Sequence, residues 1–287
     1  MRYAFIRDNE RNHPVTVLCR VFGVSVSGYY AWKDRPESRR AMENRRLLEE
    51  IRDIHTGKRR CYGSPRVYEE LFARGITCGL KRVARVMREN GIVSISKRKF
   101  KQTTDSRHDY PIAPNLLDRD FDVLRPNEVF VSDITYIATD EGWLYLATVM
   151  DLCLRRIVGW SMDNRMTKDL VIDALDMAVK NRWPSPGVLH HSDRGSQYAS
   201  DEYQARLKKY GMICSMSRKG NCWDNAAMES FYRSLKVECV YLNKYKTREE
   251  ARRDIFMYIE MFYNCVRRHS YLGYLSPVEY ERKYFTA

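Results

Sequence analysis

From Glu128 to Asp193 the chain carries a pattern that few folds accommodate: three apolar, β-branched runs close together, then a helical period, then a fourth run. Val129 to Ala138 alternates, with Val131, Asp133, Thr135 and Ile137 on one side, and Trp143 to Asp151 and Arg156 to Ser161 follow after short gaps. Strands so close along a chain predict an antiparallel meander. Thr167 caps a helix that turns Leu170, Val171, Ala174, Leu175 and Ala178 inward. Gly187 to His191 then reads as a buried strand. Because it is reached through a helix it pairs in parallel, beside the first strand, and that topology brings Asp193 near Asp133.

A third acid, Glu229, follows with thirty-five residues between it and Asp193, in GNCWDNAAMESFYRSLKVE (Gly220 to Glu238). Read as a helix from Asn225, this stretch puts Asn225, Glu229 and Lys236 on one face, with Phe231 and Leu235 on a neighbouring apolar stripe. That stripe can hold Glu229 against the two strand-borne aspartates. Three carboxylates packed together repel, and one would be driven toward its protonated form unless a cation intervened. Hard oxygen ligands suit magnesium, and two such ions support in-line phosphodiester transfer. Lys236 and Asn225 are then candidates for contacts to DNA phosphate or a base beside the site.

Spacing alone is weak evidence, because 37 acidic residues offer many pairs at any separation. Order and context add specificity. VSDITYI (Val131 to Ile137), HHSDRGSQY (His190 to Tyr198) and the Glu229 stretch occur in that order, and the chain closes with YNCVRRHSYLGYLSPVEY (Tyr263 to Tyr280). Together these resemble the OrfB-type insertion-sequence transposases of the retroviral-integrase superfamily, over nearly the whole chain. The resemblance implies an α/β fold class: a ribonuclease H-like catalytic core with a mixed five-stranded sheet flanked by helices, preceded by small all-α helix-turn-helix modules. It implies that Asp133, Asp193 and Glu229 form a DDE triad holding two Mg²⁺ ions, with Mn²⁺ as a substitute, and that Lys236 contacts donor DNA. A copy-out, paste-in pathway is implied too, with an OrfA-type partner or fused upstream segment and a homodimer or higher oligomer on paired DNA ends. Phe130 stands where the family usually has tryptophan, which bears on local packing alone.

The net charge of +13 lies entirely in the first part, where residues 1–107 hold 25 Lys+Arg against 12 Asp+Glu and residues 108–287 hold 25 of each. A basic arm on a neutral body is expected when one part grips a polyanion and the other acts on it; the alternative is a solvated surface. His13 to Arg35 has Val15, Leu18 and Phe22, a break at Gly23, then a helix from Ser25 or Ser27 with Tyr29, Tyr30 and Trp32. That outline fits a helix-turn-helix or an ordinary helical hairpin. Asn44 to His55, a helix after Gly63 with Ser64 as cap and Pro65 in its first turn, and Leu80 to Asn90 form a three-helix set. Its outer face carries Lys81, Arg82, Arg85 and Arg88, which would meet phosphates or only solvent. Lys97, Arg98 and Lys99 open a linker that could track the DNA backbone. The expected divisions are 1–40, 41–96, a linker at 97–124, and a catalytic core with helical tail at 125–287.

Other acids and histidines compete for the metal role. Asp151, ending the second strand, reads as structural, and Asp224 as the amino-terminal cap of the Glu229 helix. His190 and His191 face opposite sides of their strand and read as core. Gly195, Ser196 and Gln197 shape the turn that presents Asp193. Thr247 and Glu250 make a capping box for a long helix carrying Ala251, Ile255, Tyr258, Ile259 and Phe262. In the tail, Arg267, Arg268 and His269 either bind DNA or pack against the core.

The eight cysteines show no CxxC pair and no zinc-finger spacing, so they read as reduced thiols of a cytoplasmic protein, associated with the nucleoid when on DNA. No apolar run is long enough to span a bilayer. Two rival readings stay open: a DNA-binding regulator that has lost catalysis, and a ribonuclease H-type nuclease that hydrolyses without joining.

Overall fold

The computed structural model describes residues 1–95, 110–218 and 222–285. Three short helices come first: α1 (Arg2–Asn9), α2 (Val15–Phe22) and α3 (Val26–Lys33). Gly23 ends α2 at φ +62, a left-handed conformation that glycine adopts without cost, and Ser25 caps α3 by accepting the Gly28 N–H. Ile6, Leu18, Cys19 and Tyr29 close a small interior of their own. Helix α1 completes that interior, although sequence periodicity did not point to it.

Next come α4 (Arg39–Gly57), α5 (Ser64–Ala73) and α6 (Leu80–Glu89). Ser64 does not cap α5; Gly63 holds the capping position and Ser64 is the first helical residue, with Pro65 behind it. Proline tolerates that place because its missing N–H would have had no partner there. Leu47, Ile51, Ile54, Val67, Leu71, Val83, Val86 and Met87 are buried in a cluster that also holds residues of the sheet and of the carboxy-terminal helices. The three-helix set and the body therefore share one apolar interior. Tyr62 stitches them further, its hydroxyl donating to the Val266 carbonyl and accepting the Arg268 N–H.

Residues 113–123, within the expected linker, lie along the body. Leu117 is buried in the main core, Asn115 donates to Asp224, and the Met216 N–H reaches the Pro114 carbonyl.

The body is a five-stranded sheet in the order β3-β2-β1-β4-β5, from β1 (Val129–Thr139), β2 (Gly142–Asp151), β3 (Arg156–Asp163), β4 (Leu189–Ser192) and β5 (Ile213–Met216). The first three are an antiparallel meander; β4 pairs parallel with β1 and β5 parallel with β4. Helix α7 (Lys168–Arg182) makes the crossover. Thr167 holds its capping position but contributes no side-chain hydrogen bond. A short α8 (Ser196–Ala199) and α9 (Asp201–Lys209) link β4 to β5, and α10 (Ala226–Glu238), α11 (Arg248–Phe256) and α12 (Pro277–Tyr284) complete the chain.

Both sheet faces are covered, which explains why β1 is buried on both sides. Val131 and Ile137 enter the core shared with α10 and α11, while Phe130 joins the core with α7 and α9. Gly159 lets α7 approach β3 closely: a Cβ there would meet the Ala174 carbonyl oxygen at 2.2 Å. The capping box on α11 is formed as read from Thr247 and Glu250. Its helix then widens into a π-helix over Met257–Tyr263. The expected long helix is thus two consecutive forms, and Tyr258, Ile259, Phe262 and Tyr263 all point into the core.

Candidate active site

The parallel β1–β4 register pairs Val131 with His191. Asp133 lies two residues beyond that pair on β1 and Asp193 just past the end of β4, close enough that the charge of Asp193 acts on the Asp133 carboxyl. Backbone N–H groups fix one oxygen of each: the Ile134 N–H donates to Asp133 Oδ1 at 2.8 Å and the Gly195 N–H to Asp193 Oδ1 at 2.9 Å. Gly195 leaves room for that turn, since a Cβ would lie 3.1 Å from Asp193 Oδ1. Burial first, and then the charge of Asp193, push the Asp133 carboxyl well above the usual range; Glu229 adds to the effect and Lys236 opposes it.

Glu229 stands in the first turn of α10 and is exposed, its own affinity for a proton raised by partial burial. Among the described residues no three acidic, histidine or cysteine side chains are close enough together to hold an ion. The structure therefore brings Asp133 and Asp193 together and leaves Glu229 at the rim. The donor set still fits a hard divalent cation: it is all carboxylate oxygen, and after burial it is neighbouring negative charge, which a cation would relieve, that raises Asp133. A second observation agrees. The Tyr198 hydroxyl, which feels both aspartates, is buried without a hydrogen-bond partner among the described residues.

Three segments of the chain match family models: an HTH-like domain over residues 42–100, and integrase core domains over 124–222 and 229–285. The chain is 47% identical over 267 residues to the insertion element IS600 uncharacterized 31 kDa protein of Shigella sonnei, covering 93% of this chain and 98% of that one. It is 43% identical over 285 residues to transposase InsF for insertion sequence IS3A of Escherichia coli (strain K12), covering 99% of each. The chain belongs to the IS3-family transposases. A chain of the simian T-cell lymphotropic virus intasome, solved in complex with PP2A regulatory subunit B56 gamma, is similar at 14% identity and TM-score 0.49, covering 83% of this chain and 76% of that one. The transposase is an enzyme that acts on DNA through an α/β, ribonuclease H-like core of the integrase type, and such a core depends on divalent metal. That membership sets aside the regulator and the ribonuclease H-type nuclease as readings of the whole chain. Among the described residues no helix is long and apolar enough to cross a membrane.

Several expected DNA contacts of the transposase are engaged elsewhere. Lys236 is buried, with its Nζ 5.0 Å from the centre of the Tyr136 ring, and burial brings its pKa down to about 8 against the pull of Asp133. Asn225 is buried too, and its amide donates to the Ser132 carbonyl at 3.3 Å. The shared face with Glu229 is real in spacing, but packing against β1 has claimed two of its three members. Arg82 turns inward to Asn44 and Glu43, at 2.9 and 3.2 Å. Lys81, Arg85 and Arg88 are exposed, and Arg85 lies 3.9 Å from Glu89. Lys97, Arg98 and Lys99 lie outside the described residues.

Asp224 is not the cap of α10. It sits in a 3-10 turn over Cys222–Asn225, wholly buried, and its carboxylate accepts from Arg218, Arg119 and Asn115. The two arginines hold its pKa far below the usual carboxylate value. Asn225 occupies the capping position of α10 without a side-chain bond.

Asp151 is structural as read, accepting from the Asn127 and Leu154 N–H groups, with burial raising its pKa to about 6. His190 bonds with Ser132 and Tyr203, and His191 with Ser215; burial takes their pKa values down to about 3 and about 4. In the tail, packing wins. Arg267 pairs with Glu238, Arg268 with Glu70, and the His269 ring stands edge-on to Tyr263.

Sequence reasoning missed Tyr232. Its hydroxyl donates to the Asp133 carbonyl and bonds with Thr148 at 2.8 Å, so it ties α10 to β1 beneath the acid pair. It stands three residues after Glu229, on the apolar side of the same motif, where a tyrosine with a polar tip was the available signal.

Proposed function

We propose that Asp133, Asp193 and Glu229 form the catalytic carboxylate triad of this transposase, carrying out DNA strand cleavage at the element end and then attack by the freed 3′-OH on a second phosphodiester. The observation that carries this reading is the closeness of Asp133, on β1, to Asp193, just past the end of the parallel neighbour β4, with Glu229 in the first turn of α10 near enough for its charge to act on Asp133. The two aspartates and Glu229 would hold magnesium, two ions in this reading, with manganese as a substitute. When bound, the metal supplies Lewis-acid stabilisation of charge on the phosphoryl and leaving oxygens.

The chain's own residues do the positioning. The Ile134 and Gly195 N–H groups fix the aspartate orientations, and Tyr232 fixes the height of α10 against β1. Lys236 supplies a positive charge that opposes the rise at Asp133. Its burial and that of Asn225 mean that a contact of either with DNA requires a local rearrangement, at the last turn of α10 for Lys236 and at its start for Asn225. Lys81, Arg85 and Arg88 present the exposed positive face of the three-helix set and are assigned to phosphate contacts, together with Lys97, Arg98 and Lys99 of the following basic run.

In this reading residues 1–40 and 41–96 form the helical DNA-binding modules, 97–124 the connection and 125–287 the catalytic core. Transposition follows a copy-out, paste-in route in the cytoplasm, with an OrfA-type partner and a homodimer or higher oligomer joining two ends. The test is incubation of the purified chain with labelled element ends and magnesium, with and without that partner, scoring nicked and joined products. Asp193→Asn should lower joining by about a thousandfold or more, the scale of losing a preorganised charge-stabilising group, with DNA binding kept. Joining retained by that variant removes Asp193 from the site.

A further inference from the structure

A cavity of about 580 Å³ opens between α10, the end of the three-helix set and the carboxy-terminal tail. Arg66, Arg155, Arg233 and Arg267 line it, with His269 and Tyr271. Glu238 is the one carboxylate in the described lining, and Arg267 takes both of its oxygens at 2.7 Å.

The other three guanidinium groups have no acid partner among the described residues. Arg66 makes no hydrogen bond or ion pair there and sits 5.7 Å from the centre of the Tyr62 ring. Arg155 stacks on Tyr271 at 4.0 Å and donates to the Phe121 carbonyl, while its buried Nε has no hydrogen-bond partner among the described residues. Arg233 is exposed at the mouth, one turn after Glu229, about 6 Å further along the helix axis. His269 cannot offset this excess: burial and the charges of Arg267, Arg66 and Arg155 keep it neutral. Like charges gathered in a half-enclosed space repel at reduced dielectric, so the cavity is built for an anion.

We propose that this cavity seats the backbone phosphates of a single DNA strand running from the carboxylate site along α10, between the three-helix set and the body. Its direction rests on the placement of Glu229 in the active site. Three observations favour a strand over a small anion. The cavity has room for more than one phosphate group, its lining on α10 includes Ser230, the residue after Glu229, and it pairs guanidinium charge with an aromatic face at Tyr271, the combination that suits successive nucleotides.

The test uses the full chain in EDTA, so that no chemistry occurs and the result does not depend on the triad. Fluorescence anisotropy would compare a blunt element-end duplex with the same duplex carrying a single-stranded tail. Arg66→Gln with Arg233→Gln should weaken binding of the tailed DNA by about tenfold and flatten its log–log salt dependence by about 1.4, roughly 0.7 for each phosphate left without its arginine. Binding of the blunt duplex should change little. Arg66→Lys with Arg233→Lys should restore most of the affinity, and Arg233→Gln alone, at an exposed position, should show part of the loss in a fully folded chain. Unchanged affinity and salt slope for the tailed DNA would overturn the proposal. So would equal losses on both substrates, a preference for an RNA tail, or displacement of the tail by inorganic phosphate at matched ionic strength. If Asp193→Asn still joins DNA while the anisotropy result holds, the triad falls and the strand seat stands.

Discussion

Tyr232 shows how much of the site hangs on one hydroxyl. Its bonds to the Asp133 carbonyl and to Thr148 join α10 to β1 and β2 at the point where Glu229 must meet the aspartates. Tyr232→Phe keeps the ring and removes those bonds. It should cost about 1 kcal/mol of stability in denaturant titration, and lower strand transfer more than it lowers DNA binding. A second prediction concerns His190, fully buried between Ser132 and Tyr203 with its pKa taken from 6.5 to about 3. The unfolded chain binds the proton that the folded chain refuses, so the stabilising contribution is complete above pH 6.5 and is lost as pH falls toward 3. Urea midpoints measured across that window should drop for the native protein and drop less for His190→Gln. A pH-independent difference between the two would show that His190 is not the group that titrates.

At the scale of elements, Gly159 sets the distance between β3 and α7. The Ala174 carbonyl lies 2.2 Å from where a Cβ would be, and backbone cannot move aside as a flexible side chain would. Gly159→Ala should therefore destabilise the fold by about 3 kcal/mol, read as a lower thermal midpoint. The strands themselves were legible because β-branched alternation and close spacing leave one arrangement, and the crossover through α7 fixed the neighbour of β1. The position of Asp193 followed from that topology. Less was legible where a polar side chain had to choose between solvent and a buried partner. Asp224 has the residue type and place of a helix cap, yet Arg218 and Arg119 hold its carboxylate more strongly than the α10 backbone could. Lys236 and Arg82 have the periodicity of surface positions, but an aromatic ring and an amide in distant elements hold them. The widening of α11 into a π-helix also has no local signal, since the same apolar residues serve either form.

For the whole molecule, the shared interior between the three-helix set and the body changes how DNA binding should be tested. Leu47, Ile51 and Val67 belong to the same buried cluster as Phe231 and Tyr263, and Arg268 pairs with Glu70 across the junction. A fragment ending at residue 107 would forfeit that packing, so charge variants of the full chain are the cleaner measure of the basic arm. Lys81→Gln with Arg88→Gln should weaken binding to duplex ends similarly for all sequences, with a salt slope lower by about 1 to 2. In the proposed site three acids distant along the chain meet over DNA, and Glu229 is the one that must close the gap. The most direct measurement is a manganese titration, followed by electron paramagnetic resonance, of the full chain bound to element-end DNA. Glu229→Gln is predicted to weaken manganese binding by about tenfold or more, the size of effect seen when a metal site loses a supporting group. Identical affinity and stoichiometry in the native chain and the variant would contradict the account.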